Sequence, residues 1–159
     1  GGADGLGRLG PTAHAILSSD LNLQLVVVCG RNEALREELG ATQSRLRLRV
    51  LGFVDIVPEL MGAVDMLLTK AGTLTLCEGF IAGLPLLIYD AIPGQEAGNV
   101  KYVVGAGAGK WCPRPQDVIR QLAAWTADPA ALTAARQASA RLAQPQAALQ
   151  VARAIVSLS

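Results

Sequence analysis

The sequence predicts an α/β fold, a doubly wound parallel sheet, on three observations. Leu23–Cys29, Met66–Leu68 and Pro85–Tyr89 are short continuous apolar runs, the pattern of parallel strands covered on both faces. Strand-like and helix-like stretches alternate along the chain, which calls for right-handed crossovers in one layered domain. Four Gly-rich or polar loops (Gly1–Gly7, Gly52–Val54, Ala71–Thr73 and Ala91–Asn99) each follow a strand or candidate strand end. Ligands of such sheets sit at the carboxyl ends of the strands, so these loops converge on one edge.

The elements follow in order. Gly1–Gly7 reads as a phosphate loop leading into a helix around Pro11–Leu17, with Gly backbone allowing close approach; an N-terminal Gly pair also fits a cloning scar. Leu23–Cys29 is a buried strand, Gly30-Arg31-Asn32 turns the chain, and Glu33–Leu39 is a short helix closed by Gly40. Leu46, Leu48 and Val50 alternate with Arg45, Arg47 and Arg49, which predicts a half-exposed strand near a sheet edge with solvated arginines. Pro58–Met61 forms a helical turn, and Gly109–Cys112 is the last candidate strand. Beyond Pro113 the composition shifts to Ala, Gln and Arg. Gln116–Thr126, Ala130–Leu142 and Gln146–Leu158 read as helices split by Pro129 and Pro145.

At 159 residues one domain over the whole chain, 1–159, is the default. Hydrophobic content of 51% with 17% charged residues describes a core-rich globule, and a net charge of +1 gives no reason to expect nucleic acid. Cys29, Cys77 and Cys112 are widely spaced in apolar settings, which suggests buried, reduced thiols and no metal site. No apolar run approaches the roughly 20 residues of a membrane helix, and the reading is a soluble domain.

Thr69 to Asn99 is the chemically informative stretch: strand, Gly turn, helix, Gly-Pro punctuation, strand, polar loop, helix. The helix after Ala71-Gly72-Thr73 offers free N–H groups and a positive dipole end, which bind a phosphate without a cationic side chain. Glu78 lies a little over one turn in, where its carboxylate could accept two hydrogen bonds from a ribose diol. Thr75-Leu76-Cys77-Glu78 equally fits a capping box, and spacing alone leaves both open. Phe53 is either one wall of a base site or a core residue at a strand end.

Ala71-Gly72-Thr73 through Glu78, then Ala82-Gly83-Leu84-Pro85, then Gly94-Gln95-Glu96-Ala97-Gly98-Asn99 resembles the donor half of monogalactosyldiacylglycerol synthases. Processive diacylglycerol glucosyltransferases and the lipid II-forming N-acetylglucosaminyltransferase belong to the same wider group. The resemblance runs from Gly1 to about Trp125, with Cys29–Asn32, Gly52–Val54 and Asn99–Val104 in the expected order. Leu74 departs from it, standing where these synthases usually carry Gly in a Gly-Pro-Gly-Thr turn, and this leaves open which threonine meets the phosphate.

The resemblance implies a Rossmann-like fold, the C-terminal lobe of a GT-B glycosyltransferase whose first strand is missing from this chain. It implies inverting transfer of a hexose, galactose favoured, from a UDP-sugar to diacylglycerol. The UDP-sugar is substrate; no cofactor and no metal is called for, in keeping with the lack of an Asp-x-Asp cluster. The implied donor-binding residues are Gly2, Gly5, Phe53, Val54, Gly72, Thr73, Glu78, Gly94, Gln95, Glu96 and Asn99. Within this set Thr73 and the Gly-rich loop meet the diphosphate, backbone at Phe53 and Val54 meets the uracil, Glu78 the ribose, and Gln95 with Glu96 the sugar. The catalytic base and the lipid acceptor are expected from an absent N-terminal lobe, so the isolated chain is expected to be inactive. The full protein is expected to be cytoplasmic and peripheral to the inner membrane. His14, the only histidine, reads as a helix-face residue. A non-catalytic UDP-sugar-binding subunit that pairs with a membrane-bound acceptor subunit is the alternative, and a nucleotide-sugar epimerase a weaker one.

Overall fold

The computed structural model describes residues 8–157. Thirteen elements alternate among them: α1 (Leu9–Leu17), β1 (Gln24–Val28), α2 (Glu33–Gly40), β2 (Arg47–Leu51), α3 (Val57–Gly62), β3 (Leu67–Lys70), α4 (Thr73–Ile81), β4 (Leu86–Asp90), α5 (Ala97–Gly105), β5 (Gly109–Trp111), α6 (Pro115–Ala127), α7 (Pro129–Arg141) and α8 (Ala147–Val156). Gly2 and Gly5 lie outside the described residues.

All strand pairing is parallel, but the ladder is divided. β1 pairs with β2, and β4 pairs with β3 on one side and β5 on the other. β1 and β3 share no ladder, so each keeps one unpaired edge. In the doubly wound order 3-2-1-4-5-6 the division falls at the central position. Side chains still bridge it. Val27 and Leu25 from β1, Leu68 from β3 and Leu87 and Tyr89 from β4 pack into one core beneath α1 and α6.

β4 shows why its run is continuously apolar. Leu87 and Tyr89 enter that first core, whereas Leu86 and Ile88 enter a second one with Leu76 and Phe80 of α4 and Val103 of α5. The alternation on β2 has the opposite cause. Leu48 and Val50 pack inward while Arg45, Arg47 and Arg49 are exposed, as the sequence pattern predicts. Among the C-terminal helices, α7 begins where proline and a polar cap coincide. Asp128 accepts from the Ala130 and Ala131 N–H groups at 3.0 Å each, ahead of Pro129 in the first helical position. α6 buries Val118, Leu122 and Trp125, while α8 buries none of its residues.

Of the three thiols, Cys29 and Cys112 are buried but Cys77 is exposed. The apolar neighbours of Cys77 suggested otherwise; it sits on the outer face of α4, whose inward face is Leu76, Gly79 and Phe80. Among the described residues no helix is long and apolar enough to cross a membrane.

Gly109 is required by space. A Cβ there would lie 2.4 Å from the Leu86 carbonyl oxygen and 2.8 Å from Val103 Cγ1. Gly109→Ala should therefore destabilise the chain by about 1–3 kcal/mol or more in a urea titration, through forced displacement of β5 from β4. Alkali is a second probe. Burial, with Asp117 adding, pushes the Cys112 thiol from 9.0 up to about 11, and burial, with Asp90 adding, pushes the Tyr89 phenol from 10.0 up to about 12. The unfolded chain ionises first at both groups, so their contribution is complete below pH 9 and lost as pH rises. Thermal melts should fall steadily between about pH 9 and 12.

Candidate functional site

The β3–α4 junction builds the site. β3 ends at Lys70, and Ala71 N–H donates to the Asp90 carbonyl at 2.9 Å, tying the turn to the end of β4. Gly72 is the helix N-cap at φ −69° and ψ 126°, an extended conformation open to any residue. The glycine matters here for what it lacks: no side chain caps the helix. The first helical bond runs from Leu76 N–H to the Gly72 carbonyl at 3.1 Å, so the N–H groups of Thr73, Leu74 and Thr75 have no acceptor among the described residues. These donors and the helix dipole form an anion-accepting end at the carboxyl edge of the sheet.

This removes one of the two readings of Glu78. Thr75 is the third residue inside α4, not its cap, and Glu78 is exposed in mid-helix, with no bond to backbone among the described residues. The capping box does not form. Phe53 is likewise not a core residue. Its ring is 62% exposed after β2, beside the half-buried Val54, with the Arg31 guanidinium 5.5 Å from the ring centroid. Arg31 follows β1, so the carboxyl end of the two-stranded sheet presents an aromatic face flanked by a cation.

The loop from Ala91 to Glu96 completes the junction. Gly94 has φ 77°, a left-handed conformation that glycine adopts without strain, and Gln95 beyond it is exposed. Glu96 behaves differently. It is 8% exposed, its Oε2 accepts from the Ile92 N–H at 2.8 Å, and its Oε1 stands 3.8 Å from Lys70 Nζ. Asn99, in the first turn of α5, donates through Nδ2 to the Ala71 carbonyl at 2.8 Å and to Thr73 Oγ1 at 3.2 Å. Gly72, Thr73, Glu96 and Asn99 are thus gathered at one point, while Phe53 and Val54 sit at the end of the other sheet. Sequence reasoning missed Lys70, absorbed into a strand, and Arg31, absorbed into a turn.

His14 is held outside this cluster, its Nε2 2.6 Å from Glu38 Oε1 across α1 and α2. Two surface grooves also lie elsewhere. One runs between Ala82–Gly83 and Thr133–Arg136, the other beside Thr42–Ser44 and Leu48. Both lie toward the amino-terminal ends of the strands.

The glycosyltransferase family 28 C-terminal domain matches residues 1–151. The chain belongs to this family. It is 40% identical over 159 residues to a probable chloroplastic monogalactosyldiacylglycerol synthase of Glycine max, covering 95% of this chain and 30% of that protein. The chloroplastic monogalactosyldiacylglycerol synthase of Spinacia oleracea is 41% identical over 132 residues, covering 79% of this chain and 25% of that protein. The chain therefore spans less than a third of either relative. The crystal structure of Acinetobacter baumannii MurG superposes with a TM-score of 0.78 over 98% of this chain and 48% of that one, at 23% identity. That likeness establishes the Rossmann-like α/β fold of parallel strands flanked by helices.

Asn99 has a structural duty that its place in the motif does not reveal: it ties α5 to the loop that opens α4. Asn99→Ala removes both donor contacts and should cost about 1–2 kcal/mol of stability by urea unfolding. A destabilisation below about half that figure would show that the tie is not needed to hold the junction.

Proposed function

We propose that this chain is the donor-binding lobe of an inverting glycosyltransferase that moves a hexose, galactose favoured, from a UDP-sugar to diacylglycerol. The observation that carries the reading is the open N-terminus of α4, with three unpaired N–H groups at the carboxyl edge of the sheet. Family membership and the names of the relatives agree with it.

In this reading the N–H groups of Thr73 to Thr75 receive the diphosphate; Gly2 and Gly5, outside the described residues, are assigned to the donor site by their place in the motif alone. Charge building on departing UDP is met by the dipole of α4, which is already oriented and needs no rearrangement at the moment of bond breaking. Glu78 accepts from the ribose diol one turn along. The uracil lies against Phe53 and Val54, and Gln95 and Glu96 beyond Gly94 select the sugar. The base that activates the acceptor hydroxyl must face the sugar from the side opposite UDP. We assign it, with the lipid-binding groove, to a further part of the protein, for which the greater length of the relatives leaves room. Peripheral contact with a membrane, the inner membrane in a cytoplasmic setting, follows from a lipid acceptor.

Calorimetric titration of the chain with UDP-galactose, UDP-glucose and UDP-N-acetylglucosamine tests this. UDP-galactose is expected to bind most tightly, and Glu78→Ala to weaken UDP by about 1–3 kcal/mol while leaving the melting temperature in place. Absence of binding to all three would overturn the reading. Binding with a different preference would retain the lobe and change the sugar.

A further inference from the structure

We infer that Lys70 is the cation that meets the donor diphosphate, and that the buried Glu96 carboxylate holds it in readiness. The inference rests on the proposed function and adds to it a residue that the helix N-terminus alone does not require.

The first observation is where β3 places Lys70. Pairing with β4 runs in step through Thr69 opposite Ile88, then shifts so that Lys70 lies opposite Asp90. The extra residue is Tyr89 on β4, so the irregularity sits opposite the last step of β3. Lys70 is the last residue of β3, two before the N-cap of α4, which puts it at the same strand end as the open N–H groups.

The second observation is that, among the described residues, no group accepts a hydrogen bond from the Lys70 ammonium. Its side chain is only 21% exposed, and its nearest anionic oxygen, Glu96 Oε1, is 3.8 Å away. That is beyond hydrogen-bond distance, so the pair is held by Coulomb attraction alone. No hydrogen bond from Nζ to any described residue exists. The end of the side chain stays open to solvent, so its donors are available to the oxygens of an incoming ligand.

The third observation is that Glu96 is fixed. With Oε2 committed to the Ile92 N–H, the carboxylate cannot swing away, and its Oε1 lies 3.8 Å from where a Gly72 side chain would begin. A permanent negative charge therefore adjoins the positive end of α4. Left alone it would repel a diphosphate; the Lys70 charge cancels it. On donor binding Lys70 is shared between Glu96 and phosphate oxygens, which leaves Glu96 Oε1 free to accept from a sugar hydroxyl.

The distinguishing test compares uridine with UDP on the whole chain by calorimetry. Lys70→Gln should weaken UDP by about tenfold or more and leave uridine within about twofold, because only UDP carries the phosphate charge. Lys70→Arg should restore most of the UDP affinity. The double variant Lys70→Gln with Glu96→Gln leaves no unpaired buried charge and carries the same comparison if the single variant does not fold. Equal weakening of both ligands would make Lys70 a structural residue and overturn the inference, as would unchanged UDP affinity. Failure of the unaltered chain to bind either ligand would instead defeat the donor-lobe reading itself.

Discussion

Leu86, Leu87, Ile88 and Tyr89 have no face toward solvent, and the placement of everything else follows from that burial. A strand enclosed on both faces must be apolar at every position and must be flanked by helices on both sides. It must also be paired on both edges, which brings β3 and β5 against it. β5 can approach only because Gly109 has no side chain. At the far end Asp90 receives the Ala71 N–H, so the loop that opens α4 is anchored to the most deeply buried strand in the molecule. A rigid base under an open helix end is what a pre-organised anion site needs, since donors that are already oriented lose little on binding.

Most of the fold was legible because its signals are local. Pro85–Tyr89 announces a buried strand by uninterrupted apolarity, Arg45 to Val50 announces a half-exposed one by alternation, and Pro129 marks a helix start by its geometry. Leu23–Cys29 does form a strand, over Gln24–Val28, but one in which only Val27 is buried and Val26 is exposed. The division between β1 and β3 falls where the resemblance expects the first strand of the fold, at the central position of the sheet order. Site residues were legible as a set through motif spacing, but their individual states were not. Whether Thr75 is a cap depends on where β3 ends, and the structure begins α4 two residues earlier. Whether Glu96 is exposed depends on a bond to the Ile92 N–H across a loop. Lys70 was hidden for a related reason: a lysine closing an apolar strand reads as a solvated end until its surroundings are known.

The two halves of the candidate site use different physics. At α4 the attraction comes from backbone dipoles modulated by the Lys70–Glu96 pair, and it acts on charge. At the end of the other sheet Phe53 and Arg31 present a flat apolar ring and a planar cation, which act on shape and stacking. A ligand that is ionic at one end and aromatic at the other would engage both. That division of labour makes the nucleoside and the phosphates separately measurable.

The shared core also bears on how the molecule comes apart. Among the described residues Leu25 and Val27 of β1, Leu48 and Val50 of β2, Leu68 of β3 and Leu87 and Tyr89 of β4 lie in one apolar cluster. Amide protons of these strands are therefore expected to gain protection from exchange together, since opening any one of them exposes the same cluster. The aromatic face after β2 and the helix end after β3 stand on that common base, and a ligand touching both would slow its breathing as a whole.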